Sequence, residues 1–278
     1  MRLAQLRDRS VAVWGTGPEG RAAVAAIAPH GPSRLLAVDD CADYLAVSWD
    51  GELAAEAPLA AGDHAFPALV TADVVVRSPE VPEEHPWLAE LRSRGVAVTS
   101  GSALWMGDHA GRTIAVTGGE SRSAVAALIG RLLAAAGRPG VSGGAGPLLD
   151  LPPAEQYVLE LSALQCADLT DSPRVAVLMA AEGLNLAAHG PELIVINGAD
   201  DRLVTETLHA RDANGFAAIP AGGGDSRFRI EDDEVVYCSD EPLFPRGPHG
   251  LDICVALAVL DGLGLDVVKL KDELAAAA

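Results

Sequence analysis

Lysine is nearly missing from this 278-residue sequence. The only two are Lys269 and Lys271, so nothing before residue 269 supplies an ammonium side chain. Acidic residues outnumber basic ones by 39 to 20, for a formal net charge of −19. A surface of that sign repels phosphodiester backbones and anionic lipid headgroups, which argues against nucleic-acid and membrane-surface partners. Cysteine is sparse as well. Cys41, Cys166, Cys238 and Cys254 are scattered, with no Cys-x-x-Cys pair and no Cys/His cluster at zinc-ligand spacing, so buried reduced thiols are expected. No apolar run reaches the ~18 residues of a membrane-spanning helix. The opening MRLAQLRDRSVAVWG enters a strand pattern without the apolar stretch or cleavage site of a signal peptide. A cytoplasmic location is the expectation. Against these deficits, 49% of the residues are hydrophobic and 21% charged, a balance that suits folded domains.

Apolar β-branched runs alternate with helix-period segments. Val11–Trp14, Leu35–Val38, Tyr44–Val47, Val74–Arg77 and Val96–Thr99 read as strands, with helices over Gly20–Ala28 and His85–Arg94. Leu104–Arg112 reads as a connection, and the rhythm then restarts. Thr113–Val116, Tyr157–Leu161, Arg174–Leu178, Leu193–Asn197 and Phe216–Ile219 read as strands, with helices over Ser123–Ala136 and Arg202–Ala210. Gly137–Gly146 reads as a loop, Phe228–Ile230 and Val235–Cys238 as a hairpin around Glu231–Glu234, and Leu251–Gly262 and Val267–Ala277 as closing helices. Strand–helix alternation predicts parallel, doubly wound sheets. The fold class is therefore α/β in two domains. Residues 1–107 form a Rossmann-like sheet, and residues 108–278 form a sheet of the P-loop type.

Each half opens on a glycine loop between a strand and a helix. The first, VAVWGTGPEG, places Gly15, Gly17 and Gly20 in a G-x-G-x-x-G pattern, with Thr16, Pro18 and Glu19 between them and Asp39 ending the next strand. Glycines there allow a tight turn and let backbone approach phosphate, the helix start attracts anions, and the acid can hold a ribose. Taken alone, the pattern also fits an oxidoreductase using NAD(P), although no His/Asp or Tyr/Lys pair for hydride chemistry is recognisable downstream. The second loop, TIAVTGGESRS, has the layout of a phosphate-binding loop in Gly118, Gly119, Ser121 and Ser123. Arg122 stands where such loops carry the lysine that reaches the β- and γ-phosphates. A planar guanidinium reaches differently from an ammonium point charge.

Six segments in order resemble the Mur ligase family, and within it the MurD type that joins D-glutamate to UDP-N-acetylmuramoyl-alanine. They are VAVWGTGPEGRAAVAAI, VVVRSPEVPEEHPWLAELRSRGVAV, TIAVTGGESRSAVAALIGRLLAAAG, YVLELSALQ, VINGADDRLV and HGLDICVALAVLDGLGLD. The resemblance implies a cytoplasmic enzyme of peptidoglycan biosynthesis that uses ATP and magnesium to activate a carboxylate for amide formation. It assigns the first glycine loop, Asp39, Ser78 and Pro79 to the uridine nucleotide. It assigns Gly118, Gly119, Ser121, Arg122 and Ser123 to the ATP phosphates, Glu160 to magnesium and His249 to the adenine side.

The departures from that family are specific. Its loop Gly-Lys pair is Ser121-Arg122, and the following Thr is Ala124. Its second serine in LELSS is Ala163, and its SPG is Ser78-Pro79-Glu80. Gly183, Leu184 and Asn185 occupy the segment of its metal-binding histidine, with His189 nearby but out of register. The helix with its carbamylated lysine has no counterpart between His189-Gly190 and LIVIN. The expected loop asparagine falls at Gly144 or Ala145, the two adenine asparagines are Gly250 and Ile253, and the expectation is that the family's third domain is absent. The resemblance therefore implies a relative that has lost ligation and serves as a nucleotide-binding, scaffolding or repurposed protein with a UDP-sugar-type ligand. An active ligase completed by a partner protein, a homo-oligomer and the oxidoreductase stay open. Glu160, His189 and Asp200-Asp201 also admit ordinary strand-end and surface roles.

Overall fold

A computed structural model describes residues 1–40, 49, 51–144, 146–214, 217–223, 226–231, 235–238, 241–245 and 250–270. The chain packs as two units. The first comprises Met1–Asp108 with Gly146–Leu151 and Ala167–Asp171, and the second comprises the remainder. A single cut at 107/108 therefore leaves out two short segments that pack with the first unit.

In the first unit, Ser10–Trp14 (β1), Arg34–Asp39 (β2), Leu59–Ala61 (β3), Val74–Arg77 (β4) and Ala97–Ser100 (β5) form a sheet ordered β3-β2-β1-β4-β5. All its pairings are parallel. The helices are Pro18–Ile27 (α1), Gly51–Glu56 (α2), Ala65–Val70 (α3), Pro86–Ser93 (α4) and Gly101–His109 (α5). Strand β1 shows why both faces must be covered. Val11 and Val13 enter one cluster with Ala23, Val24 and Ile27 of α1, while Ala12 and Trp14 enter another with Leu69 of α3 and Leu88 and Leu91 of α4. A strand buried on both sides is apolar throughout rather than alternating. The strand order reverses between β1 and β4, which opens a crevice at their carboxyl ends.

In the second unit, Thr113–Thr117 (β6), Val141–Gly143 (β7), Tyr157–Leu161 (β8), Val175–Leu178 (β9), Leu193–Asn197 (β10) and Ala217–Ala221 (β11) form a parallel sheet ordered β11-β10-β9-β6-β8-β7. Phe228–Glu231 (β12), Val235–Cys238 (β13) and Glu241–Pro245 (β14) form an antiparallel sheet. The helices are Arg122–Ala135 (α6), Ala163–Cys166 (α7), Asp201–Asn214 (α8) and Gly250–Gly262 (α9). Helices α6 and α9 bury Val125, Ile129, Leu133, Val255 and Val259 against Ile114, Val116, Val175 and Val195 of the sheet.

Several expectations change. Leu104–Arg112 is a helix and a 3-10 turn rather than a connection. Its glycine is a packing residue, since a Cβ on Gly107 would lie 2.4 Å from the carbonyl oxygen of Met1. Gly137–Gly146 contains the edge strand β7, paired to β8. The hairpin forms as β12–β13 and gains β14 as a third strand. Over 267–270 the last segment is a 3-10 turn. The strand expected at Tyr44–Val47, the hairpin tip at 232–234, and residues 271–277 lie outside the described residues. Among the described residues, no helix is long and apolar enough to cross a membrane.

Candidate functional site

The crevice of the first unit is a cavity of about 360 Å³, within the range of small-molecule sites. Trp14, Gly15, Thr16 and Gly17 form one side, Asp39 and Asp40 another, and the segment after β4 the third, with Ser78, Glu80, Val81, Pro82 and His85.

The glycine loop is shaped by contact. Gly15 has φ +112°, and a Cβ there would lie 2.4 Å from Ser78 Oγ. A Cβ on Gly20 would lie 1.9 Å from the Gly15 carbonyl oxygen. Gly17 differs, because nothing lies within 4 Å of a Cβ built there. It precedes Pro18, the first residue of α1, a position where proline suits a helix start. Its backbone is thus the approachable one, as a phosphate-binding turn requires. Glu19 sits in the first turn of α1, where a carboxylate already complements the helix dipole.

Asp39 is tied to the loop. Its Oδ2 accepts from Thr16 Oγ1 at 2.6 Å and from the Thr16 backbone N–H at 3.2 Å. Across the crevice, His85 Nδ1 accepts from the Trp87 N–H at 3.2 Å and caps α4. Its Nε2 faces Asp40 Oδ2 at 3.3 Å. The protein is poor in aromatics, yet four rings gather here. Trp14 meets His85 edge-on at 4.8 Å and stacks with Trp87 at 5.6 Å, and Trp87 meets Phe66 at 5.2 Å. Trp14 Nε1 and Ser78 Oγ are buried without a hydrogen-bond partner. Among the described residues, no arginine or lysine lines the crevice, while three carboxylates do. Of the sequence-assigned residues, Gly15, Thr16, Gly17, Asp39 and Ser78 line it. Pro18, Glu19 and Gly20 frame it, and Pro79 opens the turn closed by the Val81 N–H to Ser78 carbonyl bond of 3.1 Å. Sequence reasoning missed Trp14, Asp40, Val81, Pro82 and His85. Only Trp14, directly before the glycines, carried a local signal.

In the second unit, Gly118 (φ +79°) and Gly119 (φ +66°) turn the chain between β6 and α6. A Cβ on Gly118 would lie 2.6 Å from the Ala180 nitrogen, so packing alone requires that glycine. Ser121 is the residue before α6 and makes no side-chain cap. Arg122 donates from Nη1 to the Gly119 carbonyl oxygen at 2.8 Å, so the guanidinium folds back onto the loop. Ser123 Oγ donates to Glu160 of β8. A hydroxyl and a carboxylate are the donor types that hold magnesium in phosphate loops. The rest of the cradle for magnesium-ATP is incomplete. The loop has no ammonium, and among the described residues no group of three or more His, Cys, Asp or Glu could hold a metal.

The neighbouring residues have structural employment. A Cβ on Gly183 would lie 2.4 Å from Thr117 Cγ2, and Asn185 Nδ2 donates to the Cys166 carbonyl at 2.7 Å. Gly144 (φ +127°) sits where a Cβ would lie 2.0 Å from the Glu160 carbonyl oxygen, which explains glycine at that position. Ala145 and His249 lie outside the described residues. His189 is exposed, and its backbone N–H donates to Ser172 Oγ at 3.1 Å. Asp200 caps α8, its Oδ1 accepting from the N–H groups of Arg202 and Leu203 at 3.0 Å each. Asp201 begins that helix and is exposed. Burial lifts the Cys166 thiol to about 11, against a weaker opposing bond to Thr117.

Comparison with known proteins places the chain. No family model matches it. A curated protein from Micromonospora sp., named UDP-N-acetylmuramoyl-L-alanine--L-glutamate ligase, is 52% identical over all of this chain and 66% of its own. One of the same name from Salinispora tropica is 52% identical over all of this chain and 67% of its own. The chain thus spans about two thirds of the length of these relatives. The Micromonospora match runs over 307 positions against 278 residues here, a difference of 29, so that relative has internal stretches without a counterpart. Both relatives' names specify L-glutamate, and both are ligase names, which lend the oxidoreductase alternative no support. Among solved structures, a murein peptide ligase from Neisseria meningitides is similar at 15% identity and TM-score 0.51, over 93% of this chain and 95% of its own. The MurC ligase of Thermotoga maritima is similar at 17% and 0.50, over 93% and 66%. These two speak to the fold alone. On the identity of its curated relatives, the chain belongs to the Mur ligase family and to its MurD type.

Proposed function

We propose that this MurD-type protein binds a nucleotide-type ligand in the crevice of its first unit and does not carry out ATP-dependent ligation. One observation carries the reading. The two side chains that a phosphate loop offers to ATP and magnesium are engaged within the protein, Arg122 by the Gly119 carbonyl and Ser123 by Glu160. The crevice, by contrast, keeps an open glycine turn at Gly17 and carboxylates that accept N–H and O–H donors. These groups suit a nucleobase and sugar better than a diphosphate, because among the described residues no cation lines the cavity.

The chemistry of this chain's own residues is then binding. The Asp39 carboxylate holds Thr16 and the loop in shape, and His85 sets the start of α4. The Ser123–Glu160 pair favours one other reading, an active ligase in which Arg122 swings off Gly119 and another polypeptide completes the site. Calorimetry separates the two. UDP-N-acetylmuramoyl-L-alanine is expected to bind without any dependence on magnesium-ATP, and no phosphate is expected to be released when L- or D-glutamate is added. Magnesium-dependent ATP binding with glutamate-dependent phosphate release overturns the reading.

A further inference from the structure

Five of the residues lining the crevice, Ser78, Glu80, Val81, Pro82 and His85, come from the one segment between β4 and α4. That segment belongs to no helix or strand. Its backbone is held by few bonds, from Ser78 N–H to the Trp14 carbonyl at 2.8 Å, from Val81 to Ser78 at 3.1 Å, and from His85 to Pro82 at 3.0 Å. Its placement therefore depends on side chains.

Arg77, the last residue of β4, is 3% exposed and lies directly beneath this wall. Its Nη1 donates to the Val81 carbonyl at 2.6 Å, and its Nη2 faces Glu83 at 2.9 Å. The other edge of the guanidinium makes a two-pronged contact with Asp168, Nε to Oδ2 at 2.7 Å and Nη2 to Oδ1 at 2.8 Å. Asp168 is 91 residues further along the chain, is 10% exposed, and packs within the first unit. Arg92 closes the network by donating to Glu83 at 2.6 Å, and that bond, ahead of the weaker influence of Arg77, lowers the Glu83 carboxyl below its ordinary range. A guanidinium is planar, so fixing one edge sets the direction of the other. A buried cation also needs a counter-charge to stay buried.

We propose that Asp168 is a positioning residue of the crevice: by clamping Arg77 it aims Nη1 at Val81 and so holds the 78–85 wall at the spacing a ligand requires. The proposal deepens the binding function above and rests on it for its ligand readout. It also has a readout of its own, since the wall ends at His85, which lies edge-on to Trp14, itself stacked with Trp87.

The test compares wild type with Asp168→Asn and Arg77→Lys. The first keeps the shape of the carboxylate but presents an amide to the fork, and the second keeps the charge but has no fork. Acrylamide quenching of tryptophan fluorescence is measured first, below the unfolding transition, with urea unfolding as the control for folded fraction. Calorimetry with UDP-N-acetylmuramoyl-L-alanine follows. Each single variant is expected to raise the quenching constant at least twofold and to weaken binding at least tenfold. The double variant is expected to fall within twofold of the weaker single, because both changes break one clamp. Arg174→Gln, in an exposed pair with Glu192 outside this network, should change neither readout by more than twofold. If Asp168→Asn does not fold, Arg77→Lys carries the same comparison. Folded variants with wild-type quenching overturn the proposal whether or not the probe binds. Failure of the wild type to bind the probe counts against the binding function alone, and the quenching result still decides the clamp.

Discussion

At the scale of single residues, glycines that look alike in a motif do different work. Gly20 touches the Gly15 carbonyl so closely that an added methyl must displace backbone, whereas Gly17 faces open space. Gly20→Ala is therefore expected to destabilise the protein by ~1–3 kcal/mol, the usual range for overpacking. Gly17→Ala should cost at most ~1 kcal/mol, the difference between these residues before a helix. Urea midpoints compare the two, and equal losses would mean that the motif's third glycine is not a packing residue. Cys166 makes a second residue-scale test. Unfolded, its thiol ionises near the ordinary value of 9.0, and folded, at about 11. Between these values the unfolded chain holds fewer protons, so stability falls as pH rises, by up to ~1.4 kcal/mol per pH unit. Urea unfolding at pH 8, 9, 10 and 11 should show this decline, and Cys166→Ala should flatten it. Parallel curves for the two proteins would rule it out.

At the scale of elements, sequence reading succeeded where apolar β-branched runs are continuous, and failed where packing decides. Val74–Arg77, Tyr157–Leu161 and Leu193–Asn197 are buried on both faces, and their composition announces it. Strands β3 and β7 are three-residue edge strands, LAA and VSG, whose pairing depends on neighbours rather than on their own residues. Helix α5 read as a connection because Gly107 and Asp108 resemble turn residues, yet Gly107 serves close approach to Met1. The candidate site divides in the same way. Glycine loops are contiguous and legible, whereas the clamp from Arg77 to Asp168 joins residues 91 positions apart and exists only once the chain folds. Asp200 belongs to this scale too. Its two bonds into the first turn of α8 make it the cap of that helix. Asp200→Ala is expected to cost ~1 kcal/mol in thermal or urea unfolding, and Asp200→Asn or Asp200→Ser much less. A loss shared equally by all three would point to the charge rather than the cap.

At the scale of the whole molecule, the loss of lysine and the excess of carboxylates pull together. A formal charge of −19 spread over 278 residues leaves many carboxylates without a cationic neighbour. Several arginines are already committed, including Arg77 to Asp168 and Glu83, Arg92 to Glu83, Arg94 to Glu90 and Arg174 to Glu192. Exposed pairs such as the last two contribute little, so they offset the general repulsion only weakly. Repulsion of this kind destabilises the compact state and is screened once the Debye length falls from ~30 Å at 0.01 M salt to ~8 Å at 0.15 M. The melting temperature should therefore rise with sodium chloride over that interval. The same addition should weaken the exposed ion pairs, so the sign of the shift reports which effect is larger. With 39 acidic residues against 20 basic ones, repulsion is expected to dominate and the melting temperature to climb by several degrees. A fall on adding salt would mean that the arginine pairs, despite their exposure, stabilise the folded chain more strongly than the surplus charge destabilises it.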